Sequence, residues 1–522
     1  MGAALRTTVP VPTPLSITLA VVLTVLSGLL HGAAFPPRAH AAVAWVALVP
    51  WLIALTRRSA IGAASLGVVW GVTAAWSVGE WMPTAIVRYF GQPWPVGALG
   101  FLTCAIVTVA PYTAAFAVVF HRIDRRAGFS APLLVAAAWV ATEFARATLP
   151  FGNPWCLLGY SQVDSVSILH AASWGGIFAI SGAVALANAT LAALWISRGR
   201  AERASVITMT AIPCVLLAAF TGHGAWAVAQ APPNGAAATP SAVAIVQANL
   251  DLGAQWRPEM FGENLGQQLD LTYDITSGMT HPLVIWPESA LTFFLEREAS
   301  YRSLIAATLR ATDAQLVTGG PRTLPGPHRD EARYINAAFL LGADGQISGI
   351  YEKRDLLPFA EYFPLPALDF LRRHFGRVRE FSRGQTQKPL HAQIGRLGIL
   401  ICNEAFYGPN ARSRVREGAG LLISLANDSW VGDVDYATIA GAMTRVRAVE
   451  TDRWLVRAST SGPSMIIDPD GRVAAAAPLG TSATLRGAVD TRASMTAYVR
   501  CGDAFAWLCV VVTLWALRRR PE

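Results

Sequence analysis

Eight apolar stretches, each about long enough to cross a bilayer, enclose one long segment of more ordinary composition. We place them near residues 15–31, 41–55, 60–79, 96–120, 131–147, 168–196, 205–227 and 502–517. A spanning helix needs roughly 17 to 25 mainly apolar residues, so the shorter stretches are close to the minimum. The chain has 53% hydrophobic residues, 15% charged residues and a mean hydropathy of +0.38. These values are typical of a membrane protein, and the sequence predicts a polytopic α-helical membrane domain.

Arginines mark one side of the predicted spans. They cluster after the second, fourth, sixth and eighth stretches, at Arg57 and Arg58, at Arg122, Arg125 and Arg126, at Arg198, Arg200 and Arg203, and at Arg518, Arg519 and Arg520. By the positive-inside rule, both termini are cytoplasmic, and residues 240–492 lie on the outer side of the membrane. These loops account for most of the net charge of +8, so no nucleic-acid partner is expected.

The segment at 240–492 alternates strand-like and helical patterns. Strand-like runs lie at 242–247, 282–287, 314–320, 336–342, 347–352, 397–402, 420–426, 453–459 and 464–470, and helical stretches at 259–278, 299–312 and 436–451. Residues 343–346 and 469–472 have the composition of tight hairpin turns. We therefore predict three parts: a membrane domain of seven transmembrane helices at 1–230, a layered α/β domain at 240–492, and a last transmembrane helix at 500–518.

Three reactive side chains stand at or just past the ends of strand-like runs. They are Glu288 in WPES, Lys353 in YEKRDLLPFAEYFP and Cys402 in LGILICNEAF. A carboxylate, an amine and a thiol are the groups needed to form and break a thioester. Taken singly, each has a plainer explanation: a solvated helix start, a surface charge and a buried core cysteine.

The lysine is the most informative of the three. The chain has 42 basic residues, of which only Lys353 and Lys388 are lysines. A lysine kept among so many arginines indicates a compact ammonium whose pKa can be tuned. Cys402 has no evident disulfide partner, and no CxxC or HExxH motif is present, so we expect a free catalytic thiol and neither metal nor cofactor.

The order of these motifs resembles the nitrilase, or carbon-nitrogen hydrolase, superfamily with its Glu-Lys-Cys triad. Together with the membrane spans, it is similar to the apolipoprotein N-acyltransferases. The motifs concerned are GLLHGAAFPP (28–37), AWVATEFAR (138–146), FGNPWCLLGYSQ (151–162), VQANLDLGAQW (246–256), WPESA (286–290), LLPFAEYFP (356–364) and NDSWVGD (427–433). The resemblance covers nearly the whole chain and implies an αββα sandwich for the outer domain. It also implies a bacterial inner membrane, with this domain facing the periplasm.

The resemblance also implies roles for six residues. Cys402 corresponds to the nucleophile, Glu288 to the general base and Lys353 to the group that stabilises the tetrahedral oxyanion. Glu361 is implied to lie beside this triad. Glu404 matches a glutamate two residues after the nucleophile, and Trp256 matches a tryptophan near the substrate.

The implied reaction is a ping-pong acyl transfer at the bilayer. Cys402 takes an acyl chain from a membrane phospholipid and forms a thioester. The α-amino group of the diacylglyceryl-cysteine at the N-terminus of an apolipoprotein then takes the chain as an amide. A thioester that must react with an amine needs protection from water.

The stretch after Lys353 fits that need. Its apolar residues are Leu356, Leu357, Phe359, Phe363, Leu365, Leu368, Phe370, Leu371 and Phe375, and its arginines are Arg372, Arg373, Arg377 and Arg379. We interpret it as a lid that dips into the membrane interface, with packing in the domain core as the alternative.

Two further groups are read as structural. Glu143 and Arg146, on one face of the fifth span, are expected to form an ion pair. Arg445, Arg447 and Glu450 predict a packed, salt-bridged helix at 436–451.

Two departures from the family pattern leave the acceptor open. Asn403 stands where the family usually has a tyrosine, and the segment after NDSW lacks the usual Gln-His pair. One alternative is therefore a divergent membrane nitrilase-type acyltransferase or amidase with another amine acceptor or amide substrate. The non-enzymatic alternative is a lipid-binding or scaffold protein with a relict triad.

Overall fold

The structure, a computed structural model, describes residues 14–127, 132–150, 152–196, 240–250, 260–325, 332–364 and 380–518, with scattered residues between 207 and 229. Three predicted features lie outside the described residues. They are Trp256, most of the seventh span, and the part of the predicted lid at 365–379.

The N-terminal region is helical. Its helices are α1 (Ile17–Ala33), α2 (Ala44–Ala47), α3 (Val49–Leu55), α4 (Ala60–Gly79), α5 (Met82–Phe90), α6 (Trp94–Thr108), α7 (Ala110–Ala127), α8 (Pro132–Thr148), α9 (Val166–Leu169), α10 (Ala172–Gly175) and α11 (Ile177–Ile196). Within the described ranges, three helical segments are long and apolar enough to cross a membrane: Ala60–Gly79, Trp94–Ile123 and Ile177–Ile196. The second of these comprises α6 and most of α7. Ile17–Ala33, Ala41–Leu55 and Ala504–Arg518 are shorter apolar helices.

The outward faces of these helices are apolar, as lipid contact requires. Ile61, Leu99, Trp195, Trp507 and Val511 are all exposed. The inward faces pack closely enough that some positions admit only glycine. A Cβ on Gly67 of α4 would lie 2.6 Å from the Ala114 Cα of α7, so a small residue lets the two helices approach each other.

Two predicted spans differ from the structure in their boundaries. The sixth begins at Ile177 rather than near 168, because α9 and α10 are separate single turns. Gly176 precedes it with φ +67°, a conformation that ends the preceding turn. The second span is divided, since α3 restarts with a proline in its first turn, where the missing N–H costs no hydrogen bond.

The C-terminal region contains two six-stranded sheets. Sheet one has the order β12-β1-β2-β3-β4-β5, and sheet two has the order β11-β10-β9-β8-β7-β6. The strands are β1 (Ser241–Gln247), β2 (Leu283–Ile285), β3 (Gln315–Pro325), β4 (Ala332–Leu341), β5 (Ile347–Glu352), β6 (Leu390–Ala392), β7 (Gly395–Ile401), β8 (Leu421–Ala426), β9 (Leu455–Ser459), β10 (Met465–Ile467), β11 (Val473–Ala476) and β12 (Ala483–Val489). Each sheet has three parallel central strands, β1-β2-β3 and β7-β8-β9, flanked by antiparallel ones.

The two sheets pack face to face, and helices cover their outer faces. Ile245 and Ile285 of sheet one share a buried core with Ile399 and Val456 of sheet two. On the outer side of sheet one lie α12 (Phe261–Thr276) and α13 (Ala299–Thr312), and on that of sheet two lie α14 (Gly408–Arg416) and α15 (Val434–Thr451). The predicted αββα sandwich is confirmed, as are both hairpin turns, which join β4 to β5 and β10 to β11. The chain ends with α16 (Ala497–Cys501) and α17 (Ala504–Arg518).

Helix α15 joins the sandwich to the helical region. Its Ile439, Met443 and Val446 belong to the same buried cluster as the membrane helices. Arg447 Nη2 lies 3.1 Å from Glu450 Oε1, and that oxygen accepts a hydrogen bond from the Ile177 amide at 3.0 Å. The predicted salt-bridged helix is confirmed, and its ion pair also contacts the start of α11.

Glu143 and Arg146 do not form the predicted direct ion pair, although their charges are close enough to affect each other. Glu143 Oε1 instead accepts a hydrogen bond from the Leu158 amide at 2.7 Å. Arg146 donates to the Trp155 carbonyl at 2.9 Å and to Asn153 Oδ1 at 3.3 Å. Both side chains thus form hydrogen bonds with backbone groups of the irregular segment after α8. Without these bonds, the backbone groups would be buried without partners.

Candidate active site

The three reactive residues follow strands that end close together. Glu288 comes three residues after β2, Lys353 directly follows β5, and Cys402 directly follows β7. Strands β2 and β5 run in the same direction in sheet one, so their carboxyl ends lie at one edge. The end of β7 in the facing sheet brings Cys402 to the same edge.

Cys402 begins a tight turn with a strained backbone. It is the first residue of a 3₁₀ turn, Cys402–Phe406, and its φ of 53° is unusual for a residue with a side chain. Glu404 Oε2 fixes the start of this turn by accepting the Ile401 amide at 2.9 Å. The thiol is thus presented at the end of the strand, although Cys402 is only 8% exposed.

Lys353 is fully buried between two carboxylates. Its Nζ lies 2.8 Å from Glu361 Oε2 and 3.7 Å from Glu288 Oε1. Glu361 Oε2 is within hydrogen-bonding distance of Nζ, whereas Glu288 Oε1 is too far away to accept a hydrogen bond. An ammonium group has three N–H donors. The ammonium therefore retains donors for an additional oxygen atom.

The electrostatic surroundings keep Lys353 cationic. Burial alone lowers its pKa, but interactions with the carboxylates of Glu361 and Glu288, and with Cys402 when its thiol is ionised, outweigh burial and raise the pKa of this lysine above its ordinary value. Lys353 therefore does not serve as a proton acceptor at neutral pH, and it supplies fixed positive charge beside the thiol.

Glu288 is held from both sides. Its Oε1 accepts a hydrogen bond from Asn336 Nδ2 at 2.8 Å, and its Oε2 accepts one from the backbone amide of Asn427 at 2.9 Å. Burial raises the pKa of Glu288, and Glu361 raises it further, while Lys353, Asn336 and a contact with the Cys402 thiol oppose the rise. A carboxylate with a raised pKa is a better base for a thiol.

The thiol of Cys402 is protonated at rest. Burial raises its pKa well above the ordinary value, and the charge of Glu288 adds to the rise. Lys353 favours the thiolate, but its effect is outweighed. Attack by the sulfur therefore requires a base to take its proton as the new bond forms.

Asn336 is a site residue that the sequence did not reveal. Its Nδ2 donates to Glu288 Oε1 and, at 2.9 Å, to Glu361 Oε1, so one amide bridges both carboxylates. Asn336 interrupts the apolar run of β4, and that interruption was the available signal. The sequence also does not predict the hydrogen bond from the Asn427 backbone amide to Glu288, although Asn427 belongs to the NDSW motif.

The structure places Glu361 and Glu404 differently around the reactive groups. Glu361 contacts Lys353 directly and accepts the Leu357 amide at 2.7 Å, which holds the start of the predicted lid. Glu404 accepts hydrogen bonds from the Tyr351 hydroxyl at 2.8 Å and the Arg354 amide at 2.9 Å. Glu404 therefore ties the turn after Cys402 to the segment after Lys353.

Comparisons with known proteins match both regions of the chain. The carbon-nitrogen hydrolase family matches residues 242–498, and the apolipoprotein N-acyltransferase N-terminal domain matches residues 27–190. The apolipoprotein N-acyltransferase of Geobacter metallireducens is 33% identical over 504 residues, which cover 95% of each chain. The chain belongs to the apolipoprotein N-acyltransferase family. That of Azotobacter vinelandii is 32% identical over 85% of this chain and 84% of its own length.

Among solved structures, an amidase of the nitrilase superfamily from Nesterenkonia AN1 shares 18% identity, with a TM-score of 0.39. It covers 53% of this chain and 98% of its own. The family resemblance and the predicted fold class, a helical membrane region followed by a nitrilase-like sandwich, are confirmed. The protein is thus a membrane acyltransferase of the carbon-nitrogen hydrolase type.

Proposed function

We propose that this protein transfers an acyl chain from a membrane phospholipid, through a thioester on Cys402, to the α-amino group of the diacylglyceryl-cysteine of an apolipoprotein. The observation that carries the proposal is the convergence of Cys402, Glu288 and Lys353 in one buried site. The family membership gives the substrate classes, since the relatives bear the name apolipoprotein N-acyltransferase.

In the first half-reaction, Glu288 takes the thiol proton as Cys402 Sγ attacks the ester carbonyl carbon of the phospholipid. The carbonyl oxygen becomes an anion, and the free donors of Lys353 Nζ stabilise it together with an amide of the turn that Cys402 begins. When the intermediate collapses, the ester C–O bond breaks. The leaving oxygen takes the proton back from Glu288, and lysophospholipid departs.

In the second half-reaction, the neutral amine attacks the thioester carbonyl carbon. Glu288 accepts a proton from the amine nitrogen, the C–N bond forms and the C–S bond breaks. The proton returns to Sγ, which restores the thiol and releases the amide product. Glu288 is suited to both steps because burial keeps its pKa above the ordinary value.

The arrangement of the two regions supports a substrate that arrives from the bilayer. Helix α15 packs against the membrane helices, and Phe406 of the Cys402 turn lies 5.4 Å, centroid to centroid, from the Trp155 ring of the helical region. We place the sandwich on the periplasmic side of the inner membrane, because the arginine clusters alternate along the predicted loops. The predicted lid would then meet the same membrane face.

The decisive experiment is the intact mass of the full-length protein in detergent after incubation with phospholipid. We expect an added mass of one acyl chain on the wild type and none on Cys402→Ala. Cys501→Ala, which removes an exposed cysteine, is the matched control and should keep the adduct.

A second step tests the acceptor. A peptide with a free diacylglyceryl-cysteine should discharge the adduct and gain the acyl mass. Discharge by small amines but not by this peptide would support a nitrilase-type enzyme with another acceptor. Absence of any adduct on the wild type would support the lipid-binding protein with a relict triad.

A further inference from the structure

Tyr436 is a buried tyrosine in the first turn of α15, next to the active site. Its ring stacks on Trp155 with centroids 5.6 Å apart and planes 8° from parallel. It also packs edge-on against Trp81 at 4.8 Å and Trp430 at 6.0 Å. The ring is therefore fixed on three sides.

The rings that pack on Tyr436 contact, or belong to, the segments that carry or bind the reactive groups. Trp155 contacts Phe406, four residues after Cys402. Trp430 follows Asn427, whose amide binds Glu288. The phenol is close enough for these groups to affect it. Burial raises the pKa of Tyr436, and interactions with Cys402, Asp428 and Glu288 raise it further, while Arg457 opposes the rise.

Three polar groups in this aromatic cluster have no partner among the described residues, and the two indole nitrogens among them are fully buried. The hydroxyl of Tyr436 makes no hydrogen bond with any described residue, although only 5% of the residue is exposed. The indole N–H groups of Trp81 and Trp155 are also buried without an acceptor in the described part of the chain. Buried polar groups are nearly always paired, so this set indicates a place where a substrate supplies the partners.

The missing partner is a hydrogen-bond acceptor in an apolar setting. Two of the three groups are donors only, and the third both donates and accepts. An ester carbonyl attached to an acyl chain has this chemistry, since its oxygen accepts while its chain lies against aromatic rings. A charged ligand fits less well, because Arg457, the cation whose charge reaches Tyr436, is already paired with Asp428 at 2.7 Å.

We propose that Tyr436, with Trp81 and Trp155, forms a subsite that binds an ester carbonyl of a glycerolipid next to Cys402. This rests on the proposed function, whose acyl donor and acceptor both carry such esters. Trp81 and Trp155 come from the helical region and Tyr436 from the sandwich, so the subsite is complete only where the two regions meet.

Tyr436→Phe in the full-length protein tests the subsite, because it removes the hydroxyl and keeps the stacked ring. One arm measures the rate of Cys402 acylation against phospholipid concentration in mixed micelles. The other measures discharge of a pre-formed adduct against diacylglyceryl-cysteinyl peptide. We expect KM to rise about tenfold in the arm whose lipid uses the subsite, with kcat changed less than about twofold.

The controls separate this inference from the proposed function. Tyr301→Phe removes a hydroxyl that packs beside Phe293, away from the triad, and should leave both arms unchanged. Trp155→Phe removes a second donor and should raise the same KM. Unchanged KM in both arms, or a fall in kcat alone, overturns the subsite. A wild type that forms no adduct overturns the proposed function instead.

Discussion

Two of the buried ion-pair clusters in the sandwich use similar charges for different purposes. One joins Lys353 to Glu361 and Glu288, and the other joins Arg447 to Glu450. All five side chains are buried. The first cluster connects segments that follow strands inside the sandwich, whereas the second connects α15 to the start of α11 in the helical region.

The difference lies in the cation. Arg447 donates to the Tyr160 hydroxyl at 3.1 Å as well as to Glu450, and its guanidinium lies 5.9 Å from the Tyr160 ring centroid. Lys353 has two charge partners, of which only Glu361 lies within hydrogen-bonding distance, so its ammonium keeps free N–H donors. A planar, many-donor cation suits a permanent contact, and a compact ammonium suits an oxygen that is present only during reaction.

The largest expected effect comes from replacing the ammonium of the cluster of Lys353, Glu361 and Glu288 by a guanidinium. Lys353→Arg keeps the charge but puts a bulky planar group into a fully buried position. We expect the rate of Cys402 acylation to fall by about 10²–10³, the usual loss when an oxyanion donor is displaced. Lys388→Arg changes the exposed lysine and should keep the wild-type rate. If Lys353→Arg keeps more than a tenth of the wild-type rate, the proposed difference between the roles of the ammonium and the guanidinium is contradicted.

Asn336→Leu should have the next largest effect. It removes the neutral amide that donates to Glu288 and Glu361 and leaves both carboxylates side by side. Because this hydrogen bond lowers the pKa of Glu288, its loss raises that pKa further. The acylation rate should fall about 10- to 100-fold at neutral pH, and its acidic limb should move to higher pH. A pH–rate profile parallel to that of the wild type would contradict this role.

Changes to the ion pair of Arg447 and Glu450 should affect the stability of the protein and not the rate of acylation. Burial raises the pKa of Glu450 to about 7. The folded protein therefore binds this proton more tightly than the unfolded chain, and the contribution of Glu450 to stability falls as pH rises from about 4.5 to about 7. Glu450→Gln removes this dependence, on the order of 2–3 kcal/mol over the window.

Thermal unfolding of the full-length protein in detergent at several pH values measures this effect. The difference between wild type and Glu450→Gln isolates one group, since the other buried carboxylates remain in both. A difference that does not change between pH 5 and pH 8 would show that Glu450 does not titrate in this window.

The smallest effect is expected for Arg447→Lys. The lysine keeps the charge and loses the contact with Tyr160, at a cost of about 1–2 kcal/mol in unfolding free energy. The rate of Cys402 acylation by the folded protein should stay within about twofold of the wild type. A large loss of rate without loss of stability would show that the two clusters are coupled.

The sequence predicted what depends on local pattern. Strand ends, hairpin turns and the αββα sandwich follow from periodicity, turn residues and the family resemblance, and they locate Glu288, Lys353 and Cys402 correctly at strand ends. Partners set by the tertiary fold were not predictable. Asn336 meets Glu361 across separate segments, and Glu143 bonds to Leu158 and not to Arg146 because an irregular segment presents unpaired amides there.

The left-handed backbone at Cys402 has a consequence for how such a site survives sequence change. Conformations of this kind cost of order 1–3 kcal/mol in a residue with a side chain, and glycine adopts them freely. Ser289, directly after Glu288, has a similar φ of 55°. A lineage released from the need for the thiol would gain stability by exchanging it for glycine. Cysteine at φ 53° therefore costs stability that glycine would not, and the proposed role of Cys402 as nucleophile accounts for that cost.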